Sequence, residues 1–122
     1  MEIRRLDRAN LSRDYGIDGE RLQPWPVLNA PFEGAWCVVR PGTESTPHSH
    51  HEYEIFIAMA GVSTLVADDE KREFAAGDIA YLPPGSTHRV VNESTGDFEY
   101  YSIWWDTDMS ATFAARHAES TP

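Results

Sequence analysis

From Trp25 onward the apolar residues fall into short runs separated by Gly, Pro and Asp: residues 34–40, 52–60, 63–67, 71–74, 78–82, 88–92 and 98–105. Seven short runs with close, regular turns predict an all-β sandwich or barrel. Pro41-Gly42 and Pro83-Pro84-Gly85 end strands, and Asp68-Asp69-Glu70 is a charged reversal. Residues 1–24 read as a polar N-terminal arm. Its Asn10-to-Gly16 stretch and Asp18-Gly19 look irregular, with Ile3 and Leu6 able to anchor a short edge element. Residues 25–107 make the barrel, and 108–122 a short tail in which Met109, Thr112, Phe113 and Arg116 have helical spacing.

Side-chain alternation refines this picture, because successive strand residues point to opposite faces. In 52–60 the even positions carry Glu54, Phe56, Ala58 and Ala60, and the odd ones Tyr53, Ile55, Ile57 and Met59. In 98–105, Tyr101, Ile103 and Trp105 oppose Phe98, Tyr100 and Trp104. Both faces are apolar, so one is expected to fill the barrel and the other to meet a second layer or a subunit; a homodimer is the expectation. A small barrel with much of its chain near the core is the alternative.

Charge and cysteine count narrow the partners. With 20 Asp+Glu against 10 Lys+Arg over 122 residues, the formal charge of −10 repels phosphate backbones and anionic lipid. No nucleic-acid or membrane partner is expected. No helix-turn-helix pattern is seen either, and no apolar stretch has the length of a signal peptide or a spanning helix. Cys37 is the single cysteine, which excludes an internal disulfide and makes a cytoplasmic location the expectation.

Four of the five histidines lie at or near two points, His48-Ser-His50-His51-Glu52-Tyr53-Glu54 and His88. In an extended segment His48, His50 and Glu54 share one face while His51 and Tyr53 point away. Three ligands from one stretch and His88 from another would hold one divalent ion, since His and carboxylate suit Fe, Zn, Mn or Ni. Glu54 sits among Ile55, Phe56 and Ile57, where coordination would keep a buried carboxylate ionised. The alternative is a solvated histidine cluster, with Glu54 paired to Arg89 or Arg40.

The spacing Gly42-(five residues)-His48-Ser-His50-(three)-Glu54-(six)-Gly61, followed after 15 residues by Gly77-(five)-Pro83-Pro84-Gly85-(two)-His88-(three)-Asn92, resembles the two motifs of the cupin superfamily in order and in full. The resemblance implies a jelly-roll (double-stranded β-helix) barrel with His48, His50, Glu54 and His88 as metal ligands at its mouth. It implies turn roles for Gly42, Gly61, Gly77 and Gly85, and a structural rather than ligating role for Asn92. His51 lies beside the pattern.

Four protein ligands leave room at an octahedral ion for water, O₂ or a small-molecule substrate. Trp36, Tyr81, Tyr101 and Trp104 are candidate pocket walls, Arg40 or Arg89 a candidate partner for a substrate carboxylate, and Cys37 a buried thiol. Arg40, Tyr81 and Trp104 are the candidate catalytic residues. A metal-dependent enzyme, oxygenating or rearranging a small polar metabolite, is the first expectation, and a non-catalytic sensor the competing one. The run His50-His51-Glu52-Tyr53-Glu54-Ile55-Phe56 is also similar to cupins that work with a methionyl-tRNA-synthetase-like ligase, where a Zn ion guides N–N bond formation. That resemblance implies a partner ligase.

Overall fold

The computed structural model describes residues 1–28 and 30–120, without the side chains of Phe113 and residues 116–120. Nine strands precede one helix: β1 (Ser12–Asp14), β2 (Ile17–Arg21), β3 (Glu33–Val39), β4 (Tyr53–Ala60), β5 (Val62–Ala67), β6 (Glu70–Ala75), β7 (Ile79–Leu82), β8 (His88–Val91), β9 (Phe98–Trp105) and α1 (Thr107–Ser120). They form a six-stranded sheet in the order β1-β2-β3-β9-β4-β7 and a three-stranded sheet β6-β5-β8. The last strand therefore lies between β3 and β4, a crossed connectivity consistent with a jelly roll.

The seven apolar runs become β3 to β9. The arm does not remain irregular: residues 12–21 form β1 and β2, which extend the large sheet by pairing with β3. Alternation did not reveal them because β1 is exposed throughout and β2 carries Asp, Gly, Glu and Arg. Their edge element lies at 12–21, whereas Ile3 is exposed and belongs to no strand. The hairpin turn is Tyr15-Gly16 with φ of 51° and 77°, the left-handed pair that a two-residue loop matched to strand twist needs. Backbone N–H of Thr46 donates to Tyr15 O at 2.6 Å, fastening the turn to the segment that leads into His48.

Between the two sheets sit Val39, Phe56, Ala58, Leu65, Phe74, Leu82, Val90, Phe98 and Tyr100. The aromatic rings pack in series, Phe56 on Tyr100 at 4.6 Å and Phe74 on Phe98 at 5.7 Å between centroids. Burying each of these large side chains stabilises the barrel by about 1.5–3 kcal/mol. Asn92 is fully buried; its amide donates to Val39 O at 2.8 Å and Gly96 O at 2.9 Å, and its Oδ1 accepts from the N–H and hydroxyl of Ser94. It pins the β8–β9 turn against β3. Gly61 (φ 87°) joins β4 to β5 at a point where a Cβ would meet Asp97 O at 2.5 Å, so glycine is required there.

The odd face of the large sheet is apolar: Ile55, Ile57 and Ile103 are half-buried, while Met59, Ile79 and Tyr81 are exposed. The tail is helical from Thr107 to Ser120, capped by Asp106 accepting from the Met109 N–H at 2.9 Å. Met109 is half-buried and Thr112 exposed; the side chains of Phe113 and Arg116 lie outside the described residues. No helix among the described residues is long and apolar enough to cross a membrane.

Candidate metal centre

Glu54 opens the inward face of β4, and its register partner Trp104 and diagonal neighbour Ser102 bring β9 alongside it. His88 starts β8 on the facing sheet, and an isolated bridge joins it to His48, with N–H···O bonds in both directions at 3.0 and 3.2 Å. His50 O accepts from the Gly85 N–H at 2.9 Å, so the β7–β8 turn also anchors the loop carrying His48 and His50. One potential ligand atom from each of His48, His50, Glu54 and His88 lies within 4.8 Å of every other. The four side chains expected from the sequence are thus brought together.

Hydrogen bonding fixes which atoms face the common point. Nδ1 of His48 lies 3.0 Å from Thr46 O, that of His50 3.2 Å from Glu52 O, and that of His88 3.3 Å from Ser86 O. A carbonyl only accepts, so each Nδ1 carries a proton and each ring turns its Nε2 inward. Glu54 Oε2 accepts the Ser102 hydroxyl, which leaves Oε1 for the histidines, 3.0 Å from His50 Nε2 and 3.1 Å from His88 Nε2. His88 Nε2 is fully buried and lacks a partner with hydrogen-bond geometry.

Two imidazole Nε2 atoms converge on one carboxylate oxygen with a third histidine beside them, a donor set that a divalent ion fits. The group could hold one. Burial alone would push the Glu54 carboxyl up, but the close His88 ring and the Ser102 hydroxyl outweigh it and hold the group below its ordinary value. Burial lowers the His48 imidazole, with the neighbouring His88 adding to the effect against the Thr46 carbonyl. Both shifts favour the states that bind a metal, carboxylate and neutral imidazole.

The group opens on a cavity of about 550 Å³ that Ile17, Ala35, Cys37, Phe56, Tyr100 and Trp104 help to line. Among the candidate wall residues, Trp104 is there. Tyr81 is not: it lies on β7 opposite Ile55, on the outward face, and is 55% exposed. Trp36 and Tyr101 are likewise outward, cross-strand partners on β3 and β9 whose rings lie 6.4 Å apart, and the Trp36 indole donates to Glu99 at 3.2 Å. Their aromatic character was legible but not their face.

Neither proposed arginine reaches the cavity. Arg40 is clamped by Asp18 and Asp97, each at 2.9 Å, and Arg89 donates to Glu44 at 2.7 Å. Both positions alternate outward from buried neighbours, Val39 and His88. His51 is exposed and lies 3.4 Å from Glu52 rather than at the site. Cys37 does line the cavity, but burial pushes its thiol up to about 12, against a hydrogen bond from Tyr100, so it stays protonated and inert near neutral pH. Sequence reading missed Ser102, whose shared parity with Tyr100 and Trp104 was the available signal, and Tyr15, whose ring stacks on His48 at 4.5 Å.

The family description of the cupin domain matches residues 35–104, more than half of the chain and all four ligand positions. The chain belongs to the cupin family. A cupin conserved-barrel-domain protein from Salinispora arenicola superposes with a TM-score of 0.87 at 58% identity, covering 96% of this chain and 98% of that one. A Photorhabdus luminescens protein gives 0.86 at 43% identity, covering 95% and 97%. An uncharacterized protein of Methanocaldococcus jannaschii is 29% identical over 83 residues, 67% of this chain and 66% of that protein. The first two similarities extend the shared architecture beyond the cupin motifs to nearly the whole chain.

Proposed function

We propose that this cupin is a metal-dependent enzyme whose substrate is a small molecule bound beside the ion held by His48, His50, Glu54 and His88. The observation that carries the reading is the opening of the ligand group onto a cavity of about 550 Å³. Structural metal sites are closed by their protein ligands, whereas catalytic ones keep a position for substrate, and a volume of this size suits a metabolite.

When bound by these four residues, a divalent ion would supply Lewis acidity or a redox centre for oxygenation. The protein supplies the rest. Ser102 keeps Glu54 ionised and oriented; the three backbone carbonyls keep every Nε2 available; Phe56, Tyr100 and Trp104 form a wall that limits water; and the protonated Cys37 does not compete as a ligand.

Cobalt-loaded protein tests this directly. Azide should change the visible d–d spectrum with one-to-one stoichiometry, and an unchanged spectrum would show that the ion has no open position. Oxygen uptake by the iron-loaded protein with candidate metabolites then separates oxygenation from Lewis-acid chemistry. The apolar outer face of β4, β7 and β9 suits the expected homodimer, and sedimentation of a single 13.8 kDa species would refute that assembly.

A further inference from the structure

Cross-strand partners in a sheet share a face, so the register of the first three strands decides what the β1–β2 hairpin shows to the cavity. Gly19 pairs with Cys37 and Arg21 with Ala35, both of which line the cavity. Ser12 pairs with Gly19 and Asp14 with Ile17, so these four also face inward. Asp18 and Glu20 pair with Val38 and Trp36 on the opposite face; Asp18 is held there by Arg13 and Arg40, and Glu20 lies 3.8 Å from Arg4.

By register, Asp14 and Arg21 are the hairpin's charges on the inner side, although Asp18, Glu20 and Glu52 also border the cavity. Arg21 is the sole Lys or Arg lining the cavity among the described residues. Its guanidinium lies over the Trp104 ring, 5.5 Å from the centroid, and Trp104 is in register with Glu54. Its charge reaches inward far enough to oppose the effect of burial on the Cys37 thiol. Against this, its grip on Asp14 is loose: the contact is 3.4 Å between side chains that are 55% and 61% exposed, and such pairs contribute little and exchange readily.

We propose that Arg21 is the substrate-recognition residue of this cupin and that it takes the carboxylate of a metal-chelating substrate, exchanging Asp14 for it while Trp104 holds the guanidinium plane. Arginine suits the task, since its planar fork bonds a carboxylate through two N–H groups and stacks on an aromatic face at the same time. Gly19, between Ser12 and Cys37 on the inner face, leaves the space beside Arg21 free of a side chain. The hairpin is thereby the element that sets specificity, which is the role the sequence reading gave to Arg40 or Arg89. The inference rests on the reading of the ligand group as a substrate-binding metal site.

The test uses the ferric protein under argon and the charge-transfer band of bound catechol. The probes are catechol itself, its carboxylates with the acid attached directly or through one or two methylenes, and its amine counterpart dopamine. At least one carboxylate should bind about tenfold more tightly than catechol. R21Q should abolish that advantage while leaving catechol unchanged, and D14N should strengthen carboxylate binding. Equal loss for catechol and the acids, an indifferent R21Q, or a preference for dopamine would overturn the assignment of Arg21 while leaving the metal site standing. Absence of a band with catechol would overturn the substrate-binding reading of the metal site and the role of Arg21 with it.

Discussion

Ser102→Ala removes one hydroxyl from the wall of the proposed metal site. Ser102 is 3% exposed and Glu54 5%, so water does not replace the lost donor freely. The strand is undisturbed, because the partners of residue 102 on β3 and β4, Ala35 and Phe56, are set by the backbone. A hydrogen bond to a charged group contributes roughly 1.5–3 kcal/mol. Without it Oε2 is unsatisfied, the carboxylate is free to turn, and Oε1 is no longer fixed between His50 and His88.

Loss of an orienting contact behind a metal ligand typically costs about 10–100-fold in affinity, or ~1.4–2.7 kcal/mol, in line with the hydrogen-bond figure. Competition with a chromophoric chelator measures this directly on the purified protein, with circular dichroism to verify the fold. The expected result is metal affinity reduced by about 10–100-fold in a folded variant. An S102A protein that binds metal within twofold of the unsubstituted chain would show that the Ser102–Glu54 contact does not position the ligand.

Three further outcomes follow from the same structure. Asn92→Ala leaves the buried Val39 carbonyl without its donor and removes one of the two donors to the exposed Gly96 carbonyl, and should cost about 2 kcal/mol in urea unfolding; a change under ~1 kcal/mol would contradict its role in the β8–β9 turn. Because burial lowers the His48 imidazole, the unfolded chain takes up that proton first, so metal-free protein should lose stability as pH falls below about 6.5, and H48Q should flatten that limb of the pH–stability curve. Adding metal at about 100 times its dissociation constant should stabilise the fold by ~2.7 kcal/mol and raise Tm by roughly 10 °C, whereas an unchanged Tm in scanning calorimetry would refute coupling between metal and fold.

The strands legible in the sequence were those whose apolar content marks burial, and β9 was placed to the residue because both of its faces are apolar. The β1–β2 hairpin escaped because its work is at the cavity mouth. Ser12, Asp14 and Arg21 are polar where a core strand would be apolar, and the turn residue Tyr15 signals a loop rather than a wall. The four candidate ligands were legible from the spacing of the two motifs rather than from strand alternation, since a bend at His51 and Glu52 separates His48 and His50 from Glu54 at the start of β4, and His88 follows a rigid turn. What alternation within one strand does not reveal is pairing between strands. Only the register Ala35–Arg21 identifies the arginine that faces the cavity, and only Glu54–Trp104 identifies the tryptophan. Arg40 and Tyr81 were chosen for their chemistry and lie on the outer side of the same sheet.

The convergence of His48, His50, Glu54 and His88 on one ion is tested most directly by metal stoichiometry. Equilibrium dialysis of folded protein against a trace divalent metal, read by elemental mass spectrometry, should find about one ion per chain, and H88A, with its fold verified by circular dichroism, should hold none above background. A folded unsubstituted chain that binds no metal, or an H88A protein that binds one as tightly, would contradict the account.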